Sequence, residues 1–83
     1  MKKIYKVEKA WAYDYKIIVT EYKNDILQIR VINDLFDKSD YAFVKKNNLT
    51  LDGLYSYSEI AVNFVKQACI AANLFERLNK EEI

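Results

Sequence analysis

Hydrophobic positions change period once along the chain. The first half carries short runs suited to extended backbone, and the last third carries a helical stripe. "YKIIVTEY" and "ILQIRVI" are rich in β-branched and aromatic residues and are separated by "KND", which predicts a β-hairpin. Two registers can be compared. A two-residue loop at Asn24-Asp25 would set Val19 opposite Arg30, on one face. A three-residue loop, Lys23 to Asp25, pairs Ile17 with Val31 and Val19 with Ile29. Only the second gives a continuous apolar face, and it is the preferred register.

Upstream, "IYKVEKAW" is read as a further strand with Tyr5 and Val7 facing inward. Ile4, Val7 and Trp11 also fit helical spacing, so a short helix remains open there. "YAFV", Tyr41 to Val44, supplies a fourth strand, and Asp52-Gly53 marks a tight turn. Ser56 and Glu59 have the spacing of a capping box, with Tyr55 and Ile60 as its hydrophobic staple. From there Ile60, Ala61, Phe64, Val65, Ala68, Ala71, Ala72, Phe75 and Leu78 form one stripe. The predicted fold is α+β: an antiparallel sheet of three to four strands with one long C-terminal helix packed across one face. A single domain spans 1–83, with the sheet over about 3–46, a loop and turn over 47–55 and the helix over about 57–79.

Composition mostly excludes. Lys and Arg number 13 against 12 Asp and Glu, a net charge of +1, which fits neither a basic DNA coat nor an acidic DNA mimic. There is no His, so the commonest general base and metal ligand are missing. Cys69 has no His partner for nucleophilic catalysis and no second Cys for a disulfide; it is read as a passive residue roughly opposite the centre of the stripe. One Gly cannot build a phosphate-cradling loop. Asp34, Asp37 and Asp40 recur every third residue, whereas a Ca²⁺ loop needs ligands two apart. No catalytic residue, cofactor or metal site is assigned. Lys6, Glu8 and Lys9 interrupt any apolar segment after Lys2 and Lys3, and no apolar run reaches 18 residues; a cytoplasmic location away from the membrane is expected.

Binding is the remaining class. In the preferred register the second sheet face shows Lys16, Ile18, Thr20, Tyr22, Ile26, Gln28, Arg30 and Ile32. Four of these eight are large and apolar or aromatic, more than a solvated face needs. Ile70 and Leu74, one helical turn apart, lie off the stripe and extend the hint. On strand parity Tyr13 and Tyr15 share the face of Ile17 and Val19, which makes Tyr15 core. Trp11 sits where the chain turns, and either caps the core edge or anchors a partner. The candidate partner-binding set is Trp11, Lys16, Ile18, Tyr22, Ile26, Arg30, Ile70 and Leu74.

Strands in "YKIIVTEYKNDILQIRVIND" followed by a polar loop and the helix "SEIAVNFVKQACIAANLFERL" give a layout that resembles small accessory proteins of Firmicute phages. Some of those are anti-CRISPR or other anti-defence proteins that bind a host protein. The abundance of Lys, Asn, Ile and Tyr, about two-fifths of the chain, is the bias of an AT-rich genome and agrees with such a source. The resemblance implies a non-catalytic inhibitor whose partner is a host protein such as a CRISPR effector. It rests on layout and composition and carries no motif, so no site residue follows from it. Two alternatives stand beside it. One is a single-strand nucleic-acid binder, in which Lys2, Lys3, Lys6, Lys9, Lys16 and Lys23 interleave with Tyr5, Trp11, Tyr13, Tyr15 and Tyr22. The other is a structural homo-oligomer that buries the second face by self-association.

Overall fold

The computed structural model describes the backbone of residues 2–10, 13–33 and 38–81, and the side chains of 16–33 and 38–80. Four strands, β1 (Lys2–Ala10), β2 (Tyr13–Tyr22), β3 (Ile26–Asn33) and β4 (Lys38–Lys45), form one antiparallel sheet in the order β1-β2-β3-β4. Two helices follow, α1 (Glu59–Ala72) and α2 (Leu74–Glu81). The α+β expectation therefore holds, with a full fourth strand.

The hairpin between β2 and β3 has the three-residue loop: Ile17 faces Val31, Val19 faces Ile29 and Tyr22 faces Ile26. Asn24 and Asp25 both take positive φ, 67° and 57°. These are residue types whose short polar side chains tolerate the left-handed region. Segment 2–10 is a strand rather than a helix, pairing Tyr5 with Ile17 and Val7 with Tyr15 before its register shifts between Val7 and Ala10. The orientations expected for Tyr5, Val7, Tyr13 and Tyr15, and the role of Trp11, lie outside the described side chains, as do Asp34 and Asp37.

The core lies between the sheet and the two helices. Ile17, Val19, Leu27, Ile29, Val31, Ala42 and Val44 meet Val65, Ala68, Cys69, Leu74 and Leu78, all buried. The small residues Ala61 and Ala68 are buried on α1, where the absence of bulk lets a helix lie close to a sheet. Leu54 is buried as well, and Leu49 and Leu51 pack against the cluster, so the segment after β4 closes one end of the core.

The helical region departs from expectation in three ways. First, the N-cap of α1 is Ser58, whose Oγ accepts the Ala61 N–H at 3.4 Å. The Ser56–Glu59 box does not cap it, and Ile60, 80% exposed, is no staple. Second, the buried stripe is Ala61, Val65, Ala68 and Cys69. At about 100° per residue it is rotated roughly 60° from the expected stripe, which brings Cys69 into the core and leaves Ala71 exposed. Third, the helix is broken. Asn73 takes the left-handed conformation (φ 51°, ψ 43°), its N–H reaching the carbonyls of Cys69 and Ile70, and α2 starts at once with the Arg77 N–H donating to the Asn73 carbonyl at 3.2 Å. This is a left-handed C-cap. The break re-aims Leu74, which is fully buried although an unbroken helix would point it roughly 180° from Val65.

Candidate aromatic groove and open sheet face

Strand alternation puts every second residue of β2, β3 and β4 on the side away from α1. Cross-strand pairing sets these residues in rows: Lys16 with Ile32, Ile18 with Arg30, Thr20 with Gln28, and Tyr22 with Ile26. From β4, Ser39 joins Ile32, Tyr41 joins Arg30, Phe43 joins Gln28 and Lys45 joins Ile26. Lys16, Ile18, Ile26 and Arg30 are half-buried, and Tyr22 and Tyr41 are exposed.

The chain after β4 extends this surface. Two short 3-10 turns, Lys46–Asn48 and Leu51–Gly53, reverse its direction. The Gly53 N–H meets the Thr50 side-chain oxygen at 3.1 Å. A Cβ on Gly53 would lie 2.4 Å from the Asn48 carbonyl oxygen, so this turn needs glycine for close approach, not for positive φ. The chain then returns beside β4. Phe43 donates to the Tyr55 carbonyl at 2.8 Å and Tyr55 donates back to that of Phe43 at 2.9 Å, an isolated antiparallel bridge. The bridge brings Tyr55, Ser56 and Tyr57 to the hairpin end of the open face.

There Tyr22, Ile26, Gln28, Phe43, Tyr55, Ser56 and Tyr57 line a groove of about 630 Å³. Its aromatic wall is ordered by ring contacts. Phe43 meets Tyr41 edge-on with centroids 5.6 Å apart and meets Tyr55 at 5.9 Å. The Arg30 guanidinium sits 5.6 Å from the Tyr41 ring centroid, a cation–π arrangement on the surface. At the rim the Tyr22 hydroxyl and the Gln28 side-chain oxygen are 3.4 Å apart, within reach for the hydroxyl to donate. Behind the hairpin, Lys46 Nζ meets Glu21 Oε1 at 2.6 Å, and this bond holds the Glu21 carboxyl below its ordinary pKa. It ties the 3-10 segment to β2 on the side of the sheet opposite the groove.

Of the expected binding residues, Lys16, Ile18, Tyr22, Ile26 and Arg30 share this face, and Tyr22 and Ile26 line the groove. Ile70 is 56% exposed, on α1 and apart from these residues. Leu74 belongs to the core and leaves the candidate set. Tyr41, Phe43, Tyr55 and Tyr57 are the additions. The signal for Tyr41 and Phe43 was present in "KSDYAFVK", where Ser39, Tyr41 and Phe43 alternate with Ala42 and Val44, but a strand confined to Tyr41–Val44 hides the alternation; Tyr55 and Tyr57 join through the bridge to Phe43.

Cys69 is buried, which raises its thiol pKa to about 12 and keeps it protonated and poorly nucleophilic at neutral pH. Among the described residues, no helix is long and apolar enough to cross a membrane. No protein-family model, curated protein or solved structure matches the chain.

Proposed function

We propose that this protein is a non-catalytic interaction module that binds one host protein through the open sheet face and its aromatic groove. The observation that carries the reading is the groove itself. It joins Tyr22, Ile26, Phe43, Tyr55 and Tyr57, from three strands and a loop, into one apolar and aromatic concavity. Tyr22, Tyr55 and Tyr57 are each at least 43% exposed. Exposed patches of this kind mark interaction sites, and Tyr and Arg are preferred anchors, Tyr because it brings large amphipathic area at small entropic cost. The resemblance of the sequence layout to small Firmicute-phage accessory proteins makes a host defence protein, a CRISPR nuclease among them, the partner class to test first.

The test is a tagged pull-down from a low-GC Firmicute lysate at moderate salt, with and without nuclease, read by mass spectrometry. One stoichiometric protein retained after nuclease supports the reading and names the partner. Tyr22→Ala and Arg30→Glu should then each weaken binding by roughly 30-fold, the ~2 kcal/mol of an interface anchor. Both should leave the unfolding midpoint almost unchanged. Capture that disappears with nuclease would overturn the proposal and favour nucleic acid.

A further inference from the structure

The β4 edge carries a second recognition feature, which rests on the reading above that the chain binds a partner protein and specifies the form of that partner. β4 is the last strand in the sheet order, and its ladder to β3 runs without a register shift from Ile26↔Lys45 to Asn33↔Lys38. In an antiparallel ladder, the N–H and C=O of one residue point to the same side and alternate along the strand. Phe43 turns both groups away from β3, since both bond to Tyr55. Tyr41 and Ser39, two and four residues back, therefore turn theirs the same way. The pairing with Tyr55 is one isolated bridge, and three residues later Ser58 caps α1. Among the described residues no strand pairs with the outer side of Tyr41 or Ser39.

Side chains along this edge discriminate between occupants. Asp40, partly exposed and without an ion-pair partner among the described residues, lies between the two outward-turned positions. Opposite a guest strand it would occupy a non-hydrogen-bonded position, where facing Cα atoms approach to about 4.5 Å and side chains interact most closely. A second copy bonded reciprocally through Ser39 and Tyr41 would set Asp40 against Asp40, like charges directly opposed. A guest with Lys or Arg at that position gains attraction instead. On the other face its flanking residues meet Tyr41, beside Arg30.

We propose that the β4 edge at Ser39–Tyr41 accepts an extended segment of the partner protein as an added antiparallel strand, with a basic residue facing Asp40. Backbone bonds donated and accepted at Ser39 and Tyr41 provide the docking, Asp40 selects the charge, and the Tyr55 bridge limits the guest's reach along β4. This is strand addition to a sheet edge.

A displayed library of random 12-residue peptides, selected on the intact protein, supplies the probe. Selected peptides should carry Lys or Arg flanked at alternate positions by apolar residues. They should slow amide hydrogen exchange at Ser39 and Tyr41. Tyr41→Ala keeps the N–H, whereas Tyr41→Pro removes it without touching the β3 ladder; the proline variant should bind at least 10-fold more weakly than the alanine one. Should Tyr41→Pro fail to fold, Asp40→Lys provides the second reading: selection on it should change from basic to acidic peptides. Selection that yields no binder, peptides that protect only groove residues, or an unchanged charge preference in Asp40→Lys would each overturn strand addition. The lysate capture tests the broader reading separately, because it does not require an extended guest.

Discussion

Leu74 and Ile70 stand one helical turn apart in sequence, and one left-handed residue between them gives them opposite fates. Leu74 is fully buried while Ile70 is 56% exposed. Leu74→Ala should therefore cost about 2–5 kcal/mol, through lost transfer energy and the cavity it leaves. Ile70→Ala should stay within about 0.5 kcal/mol of the wild type. Urea denaturation of the two variants measures the contrast, and similar losses in both would contradict the break at Asn73. Periodicity alone could not distinguish these residues, because counting at a fixed angle assumes an uninterrupted helix. Cys69 shows a related failure: it stands one turn after Val65, so a modest rotation of the buried stripe was enough to bring it inside.

At the scale of elements, the hairpin was the most legible part because its two registers make different faces, and only one is apolar throughout. β4 was legible in part. Its alternation is present, but Lys38, Ser39 and Asp40 make its first half read as loop. The groove was not legible, because it depends on the Phe43–Tyr55 bridge between residues 12 apart in sequence, and no local pattern encodes that bridge. The break between α1 and α2 did have a local signal, since Asn is the commonest non-glycine residue at a left-handed C-cap. Asn73 also donates through its side-chain amide to the Glu76 carboxylate, one turn into α2. Asn73→Ala should cost about 1–2 kcal/mol, the penalty of a left-handed residue without that local help. Asn73→Gly should be near neutral, since glycine's freedom in that conformation offsets the lost side-chain bond. Thermal unfolding of both variants tests this, and equal losses would show that the side chain, not the backbone conformation, sets the junction.

For the whole molecule, opposite charges nearly cancel, so acid stability depends on which carboxylates the fold holds in place. Two are shifted. The Glu21 carboxyl is held below its ordinary range by its bond to Lys46, and that of Glu76 by its bonds to Asn73 and Lys80. They sit at separate joints, Glu21–Lys46 between β2 and the segment after β4, and Glu76 where α1 meets α2. A carboxyl whose folded pKa lies below its unfolded value binds protons more readily in the unfolded chain. Its contribution is complete above the unfolded pKa, near 4.3 for Glu, and is lost as pH falls through the folded value. Both groups are solvent-accessible, so each contribution is small. Stability should thus stay nearly level from pH 7 down to about 5 and then decline, with net positive charge adding self-repulsion at the acid end. Glu21→Gln and Glu76→Gln separate the two causes. Each removes one linked group while leaving the general accumulation of positive charge in place. In urea titrations at pH 7 and pH 3, the difference between wild type and either variant should be present at pH 7 and shrink at pH 3. A difference that persists unchanged at pH 3 would mean that the carboxylate charge is not what holds that joint.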